Sequence, residues 1–141
     1  EGFGQPRYDA ERCIGCGACA ASCPQHNVEL ADRDGTRTIA HFHSRCVRCS
    51  TCQDVCPVDA IEVVSRFDLA QFLRDEREQA VQLELSRCAR CGRAYAPTRH
   101  VDHAAQALAE GPGAADNLEI CPDCRRKAHA AAMRRHMVSQ L

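Results

Sequence analysis

Twelve cysteines supply nearly all the chemistry this sequence offers, and eight of them repeat one spacing: Cys13-x-x-Cys16-x-x-Cys19-x-x-x-Cys23-Pro24, then Cys46-x-x-Cys49-x-x-Cys52-x-x-x-Cys56-Pro57. Thiolates so placed hold two cubane [4Fe–4S] clusters. Such clusters bring no substrate pocket and no acid or base, so the movement of single electrons is the leading reading. The other four cysteines form two knuckles, Cys88-Ala89-Arg90-Cys91-Gly92 and Cys121-Pro122-Asp123-Cys124. Paired C-x-x-C turns from distant segments predict a closed tetrahedral site, with zinc the commonest occupant. Four protein thiolates leave no open coordination position, so its expected role is structural.

Composition agrees with a chain held together by metal. Its 141 residues include four phenylalanines, two tyrosines and no tryptophan, which predicts a thin apolar core. Small domains of that kind are stapled by disulfides or metals, and the spacing decides for metal, because cysteines two residues apart rarely suit a native bridge. Reduced sulfur implies a cytosolic or cytosol-facing compartment. Neither a signal peptide nor an apolar run near the roughly 20 residues of a membrane span is visible, so membrane association is expected through partners. The chain begins at Glu1, not methionine, and a leading segment is therefore expected before it. The formal net charge of −1 points to no polyanionic partner. Arg125, Arg126, Lys127, Arg134 and Arg135, with His129 and His136, read as a solvated basic face. No nucleophile elbow, phosphate-binding glycine loop or carboxylate pair stands out, so the chain is not expected to be an enzyme on its own.

Elements must position these ligands, and an internal duplication indicates which. Aligning Cys13 with Cys46, an offset of 33 residues, also aligns Arg12 with Arg45, Pro24 with Pro57, Val28 with Ile61 and Leu30 with Val63. Each half reads as a metal loop, a helical turn through the third and fourth cysteines, and a brief strand, at residues 28–30 and at Ile61–Val64. Gly15 and Gly17 let the first loop curl, whereas the second carries Arg48 and Ser50 there. Positive charge and hydrogen bonds favour the reduced form of a cluster, so the second is expected to have the higher potential. Asp34-Gly35 predicts a hairpin returning through Thr36–Phe42. His26, His41 and His43 are expected at the surface or behind the ligands. Asp68 caps a helix carrying Leu69, Phe72 and Leu73, with the charged run 74–78 on its solvent side and exit. Val81, Leu83 and Leu85 then alternate as a half-buried strand. Between the knuckles, Asp102 is expected to cap a helix over 103–110, followed by a mobile loop at 111–117. A helix follows Cys124, with Met133, Met137 and Leu141 along one side for the body or a partner.

The duplicated half resembles the bacterial dicluster ferredoxin fold, a pseudo-two-fold pair of βαβ-like halves around two cubanes. The resemblance implies that each fourth cysteine serves the other cluster: Cys13, Cys16, Cys19 and Cys56 hold cluster I, and Cys46, Cys49, Cys52 and Cys23 hold cluster II. The knuckles also resemble those of rubredoxin, which holds a single redox-active iron. Arg125 in place of the usual glycine and the missing aromatic core favour zinc. The string Arg87-Cys88-Ala89-Arg90-Cys91-Gly92-Arg93-Ala94-Tyr95-Ala96-Pro97, with Cys121-Pro122-Asp123-Cys124 downstream, extends the likeness to nearly the whole chain. The whole resembles the small iron–sulfur subunit of formate hydrogenlyase and group 4 membrane-bound [NiFe] hydrogenases, related to the TYKY-type subunit of respiratory complex I. One departure is Pro24-Gln25-His26-Asn27-Val28 where the second half keeps Pro57-Val58-Asp59-Ala60-Ile61.

The expected class is therefore α+β: a dicluster [4Fe–4S] ferredoxin domain at 1–66, a connector at 67–86, and at 87–141 a four-cysteine zinc-ribbon or rubredoxin-like knuckle domain with a basic C-terminal helix. The family implies an electron relay on the cytoplasmic face of the inner membrane. Its partners would be the small cluster-bearing and large [NiFe] subunits and a ferredoxin-like subunit that donates or accepts electrons. A freestanding ferredoxin-type carrier and an iron–sulfur and zinc nucleic-acid-binding protein are the alternatives. The scarcity of aromatic residues beside the basic stretch argues against the latter.

Overall fold

The computed structural model describes residues 2–109 and 118–138. The chain divides into two units, Glu1–Glu84 and Leu85–Leu141. Their elements mix helix and strand throughout.

In the first unit the duplication governs strand pairing. β1 (Gln5–Tyr8) pairs antiparallel with β4 (Ile61–Val64), and β2 (Val28–Arg33) pairs antiparallel with β3 (Thr36–Phe42). Shifting β1 by the repeat offset lands it inside β3, and shifting β2 lands its start on β4. The opening strand of each half thus pairs with the closing strand of the other, which makes the halves interdependent. The β2–β3 connection has Asp34 and Gly35 both at positive φ, 50° and 78°. This is the two-residue turn whose twist matches the strands it joins, as Asp-Gly predicts.

Two short helices, α1 (Ala18–Ser22) and α2 (Thr51–Asp54), carry the third cysteine of each loop and lie against each other, but the fourth cysteines, Cys23 and Cys56, fall after the helices and not within them as expected. α3 (Leu69–Arg74) starts where Asp68 accepts a hydrogen bond from the Gln71 N–H at 3.1 Å, so the capping expectation holds. Its apolar residues do not share one buried face: Leu69 and Leu73 are exposed, while Phe72 joins Phe3 and Phe67 in a ring cluster with centroids 5.1–5.5 Å apart. β5 (Arg77–Arg87) begins earlier than the alternation of Val81, Leu83 and Leu85 suggests, because its charged start pairs with β3. Ile39, Val28, Ile61, Val81 and Leu83 form the core with Cys13 and Cys19.

His41 and His43 are buried, at 1% and 3% exposure, whereas His26 is exposed as expected. His41 alternates inward on β3, and His43 is held by the Asp68 N–H, which donates to its Nε2 at 3.2 Å. Polar character alone hid both positions.

In the second unit the last residues of β5 pair with β6 (Ala94–Pro97). α4 spans Thr98–Ala109, so Asp102 lies inside the helix and does not cap it. The helix starts directly after Pro97, the last strand residue, and alanine-rich sequence extends it. The expected end at residue 110 and the loop at 111–117 lie outside the described residues. α5 (Pro122–Val138) begins before Cys124, with proline at its first position, where a missing N–H costs nothing. Met133 and Met137 on it are exposed, and Leu141 lies outside the described residues. Among the described residues no helix is long and apolar enough to cross a membrane.

Candidate metal centres

The cysteine loops owe their shape to left-handed backbone, and the duplication reproduces it. Gly15 and Gly17 have φ of 68° and 83°, and their counterparts Arg48 and Ser50 have 53° and 62°. His26 and Asp59, again one offset apart, have 47° and 48°. A side chain in this region costs roughly 1–2 kcal/mol, so the second loop is held in strain that glycine spares the first. The fourth cysteines are matched as well: the Asn27 N–H donates to Cys23 Sγ at 3.3 Å and the Ala60 N–H to Cys56 Sγ at 3.2 Å. Such donors fix the orientation of the sulfur they face.

Two cavities result, each lined by cysteines of both halves. Cys13, Cys16, Cys19 and Cys56 surround one, with Ile14, Ile39 and Ile61. Cys46, Cys49, Cys52 and Cys23 surround the other, with Val28, Val47 and Val63. Burial pushes the Cys19 thiol up to about 12 and Cys52 up to about 11. Cys49, the exposed ligand of its loop, is shifted the other way by donors from Thr51. Buried thiols that resist ionisation in apolar walls need a cation to draw off their protons, so the donor sets fit iron–sulfur clusters.

Near cysteines of both loops lies a pair that the sequence reading missed. Tyr8 and His41 are repeat equivalents, and their rings meet with centroids 5.8 Å apart. The Tyr8 hydroxyl is pushed far up by burial and by the nearby Cys19, Cys52, Cys13 and Cys23, which belong to both loops. Extending the repeat alignment four residues upstream of Arg12 would have placed this pair on the pseudo-two-fold axis.

The four knuckle cysteines form a different site. Their sulfurs lie within 4.8 Å of one another, the one such ligand group among the described residues. Cys91 Sγ and Cys121 Sγ are 3.7 Å apart. A tetrahedron with metal–sulfur bonds of about 2.3 Å has edges of about 3.8 Å, so the separation fits one central ion. The Cys121 N–H donates to Cys88 Sγ at 3.2 Å and lowers its pKa, whereas burial and neighbouring thiols raise that of Cys124. Cys88, Cys121 and Cys124 themselves form the buried cluster, with Tyr95 and Ile120 against it. Tyr95 fixes the segment before the second knuckle by donating its hydroxyl to the Leu118 carbonyl.

The first knuckle turns through Gly92 at φ 73°, but the second does not need glycine. Cys124 already lies within α5, so Arg125 is helical and its N–H bonds the Cys121 carbonyl at 3.0 Å.

Residues 7–63 match the family model described as a 4Fe–4S dicluster domain. Over 131 residues the chain is 37% identical to formate hydrogenlyase subunit 6 of Escherichia coli (strain K12), covering 88% of this chain and 73% of that relative.

Proposed function

Because the chain belongs to the family of formate hydrogenlyase subunit 6, with a 4Fe–4S dicluster domain at residues 7–63, we propose that it relays single electrons through two [4Fe–4S] clusters within a hydrogenase-type complex related to respiratory complex I. The observation that carries this reading is the pair of cavities, each combining three cysteines of one loop with the fourth of the other. Cluster I takes Cys13, Cys16, Cys19 and Cys56; cluster II takes Cys46, Cys49, Cys52 and Cys23. The clusters supply one-electron redox chemistry, and the protein supplies ligation, N–H donors and apolar walls.

Crossing the ligands keeps the clusters close, and interlocked strands hold that distance fixed. Cys49 is exposed whereas Cys13 and Cys19 are buried, which favours cluster II as the one facing an electron partner. Partners of the proposed kind are the small cluster-bearing and large [NiFe] subunits and a ferredoxin-like subunit. The chain itself is an electron-transfer subunit with no catalytic residue, at the cytoplasmic face of the inner membrane through those partners.

Functionally, residues 1–66 form the relay, 67–86 the connector, and 87–141 the knuckle domain. Cys88, Cys91, Cys121 and Cys124 hold zinc in a structural site. The helical second knuckle supports zinc over a rubredoxin-like iron.

Metal analysis of anaerobically purified protein tests the whole reading. About eight irons with labile sulfide and one zinc per chain are expected; about nine irons without zinc would move the third site to iron. A colourless preparation without labile sulfide would overturn the relay.

A further inference from the structure

Charge beside the two cysteine loops is arranged differently from what their sequences suggest. Arg48, in the second loop, is exposed, and its backbone and Cβ pack against Gly4. A solvated charge is screened by water and salt. Beside the first loop stands Arg37, from β3, with its side chain only 17% exposed. It donates from Nη1 to the Gly15 carbonyl at 2.9 Å, and from Nε and Nη2 to both carboxylate oxygens of Asp32 at 2.8 Å.

This geometry aims a dipole at the first cavity. The guanidinium sits against the Gly15–Cys16 peptide, part of the cavity wall, while Asp32 is 41% exposed. In a trans peptide the carbonyl and the following N–H point in opposite directions, so pinning the Gly15 carbonyl also fixes the Cys16 N–H. The repeat equivalent of Arg37 is Gly4, which lies against Arg48 and has no side chain, so no matching residue serves the second loop.

We propose that Arg37, oriented by Asp32, raises the reduction potential of the cluster bound by Cys13, Cys16, Cys19 and Cys56. The proposal rests on the two-cluster reading above. A fixed positive charge favours the added electron, and partial burial preserves its effect. Arg37 itself feels the Cys16 thiolate, consistent with a direct electrostatic path between them. Asp32 has two effects: it holds the guanidinium in place, and it offsets part of its charge.

The two partners should therefore move the potential in opposite directions. An EPR-monitored redox titration of the cluster-loaded full chain would compare wild type with Arg37→Gln, Arg37→Lys and Asp32→Asn. Arg37→Gln removes the charge while keeping a polar side chain, and should lower one of the two midpoints. Asp32→Asn should raise the same midpoint, and Arg37→Lys should fall between wild type and Arg37→Gln. The expected change is at least about threefold in the reduction equilibrium, about 28 mV at 59 mV per decade for one electron. The affected midpoint should also be the one perturbed by Cys16→Ser.

Unchanged midpoints, shifts of the same sign in both variants, or movement confined to the other cluster would overturn the proposal. Should Arg37→Gln lose its iron, Asp32→Asn decides alone, because its exposed carboxylate is not needed for packing. Failure of the underlying reading looks different: wild type would then lack cubane signals altogether.

Discussion

In the first unit eight cysteines stand around two cavities, whereas in the second four converge within 4.8 Å. Both regions use C-x-x-C turns, so the turn does not set how many metal atoms are held. On the proposed reading the source of the fourth ligand does. Each cavity includes a remote cysteine from the other half of a duplicated fold, which on that reading spaces the thiolates for a cluster whose irons each take one sulfur. In the second unit two complete turns face each other, which brings all four sulfurs to a single point. The energetics differ too. The first unit surrounds its sites with Ile39, Val81, Leu83 and Ile61, but the buried cluster of the second is made of the ligands themselves.

That contrast predicts the largest effect. Cys121→Ala removes one of the four proposed metal ligands while keeping the backbone N–H that donates to Cys88 Sγ, and structural zinc contributes on the order of 10 kcal/mol to folding in small zinc domains. Amide hydrogen exchange should show residues 85–109 and 118–138 losing protection while the first unit keeps its protection and about eight irons. Protection surviving in the second unit would mean that its core stands without metal.

A smaller but more selective loss is expected from Cys56→Ala. The variant removes one ligand from a cavity otherwise built by the first loop, so iron should fall by about half. Because β4 begins five residues after Cys56 and pairs with β1, thermal stability should fall as well. Full iron with an unchanged melting temperature would show that the halves do not share ligands.

Much of the cavity geometry was legible because it is carried by chain-local rules. The cysteine spacing, Asp34-Gly35 at its turn, and Asp68 at its helix start each act over a few residues, and each appears in the fold. What was illegible depends on pairing. Leu69 and Leu73 look like one face of a helix, yet only the ring cluster of Phe3, Phe67 and Phe72 selects which side turns inward. The burial of His41 and the placement of Arg37 beside Gly15 follow from how β3 registers against its neighbours, information distributed over distant segments. In the knuckle unit, the meaning of Arg125 was hidden until the helix start at Pro122 was known.

His41 gives the comparison a handle in pH. Burial lowers its pKa from 6.5, outweighing Glu78 at 3.8 Å, and neither ring nitrogen has a hydrogen-bond partner among the described residues. The folded state therefore resists a proton that the unfolded state accepts. Its contribution is fully present above the unfolded value and is lost as pH falls from about 6.5 through the lower folded value. Denaturation midpoints of the first unit, followed by far-ultraviolet circular dichroism, should decline over that window. His41→Gln should flatten the decline; an unchanged slope would assign it to other groups.

The finest test concerns what the two kinds of site share. A left-handed residue follows the second cysteine in three loops: Gly17 at φ 83°, Ser50 at 62° and Gly92 at 73°. A Cβ on Gly17 would meet Leu30 at an ordinary 3.5 Å, and one on Gly92 would meet nothing within 4 Å. Crowding is therefore excluded as a cause, and only backbone conformation distinguishes alanine from glycine at either site. Gly17→Ala and Gly92→Ala should each cost about 1 kcal/mol, the first read in the melting of the cluster unit and the second in that of the knuckle. Ser50→Gly relieves strain but adds unfolded-chain entropy, so it should change stability by no more than a few tenths of a kcal/mol. A cost in the cluster unit alone would mean that its loops are held by the halves packing together, and that the knuckle, tied down chiefly by its metal, yields to the new side chain.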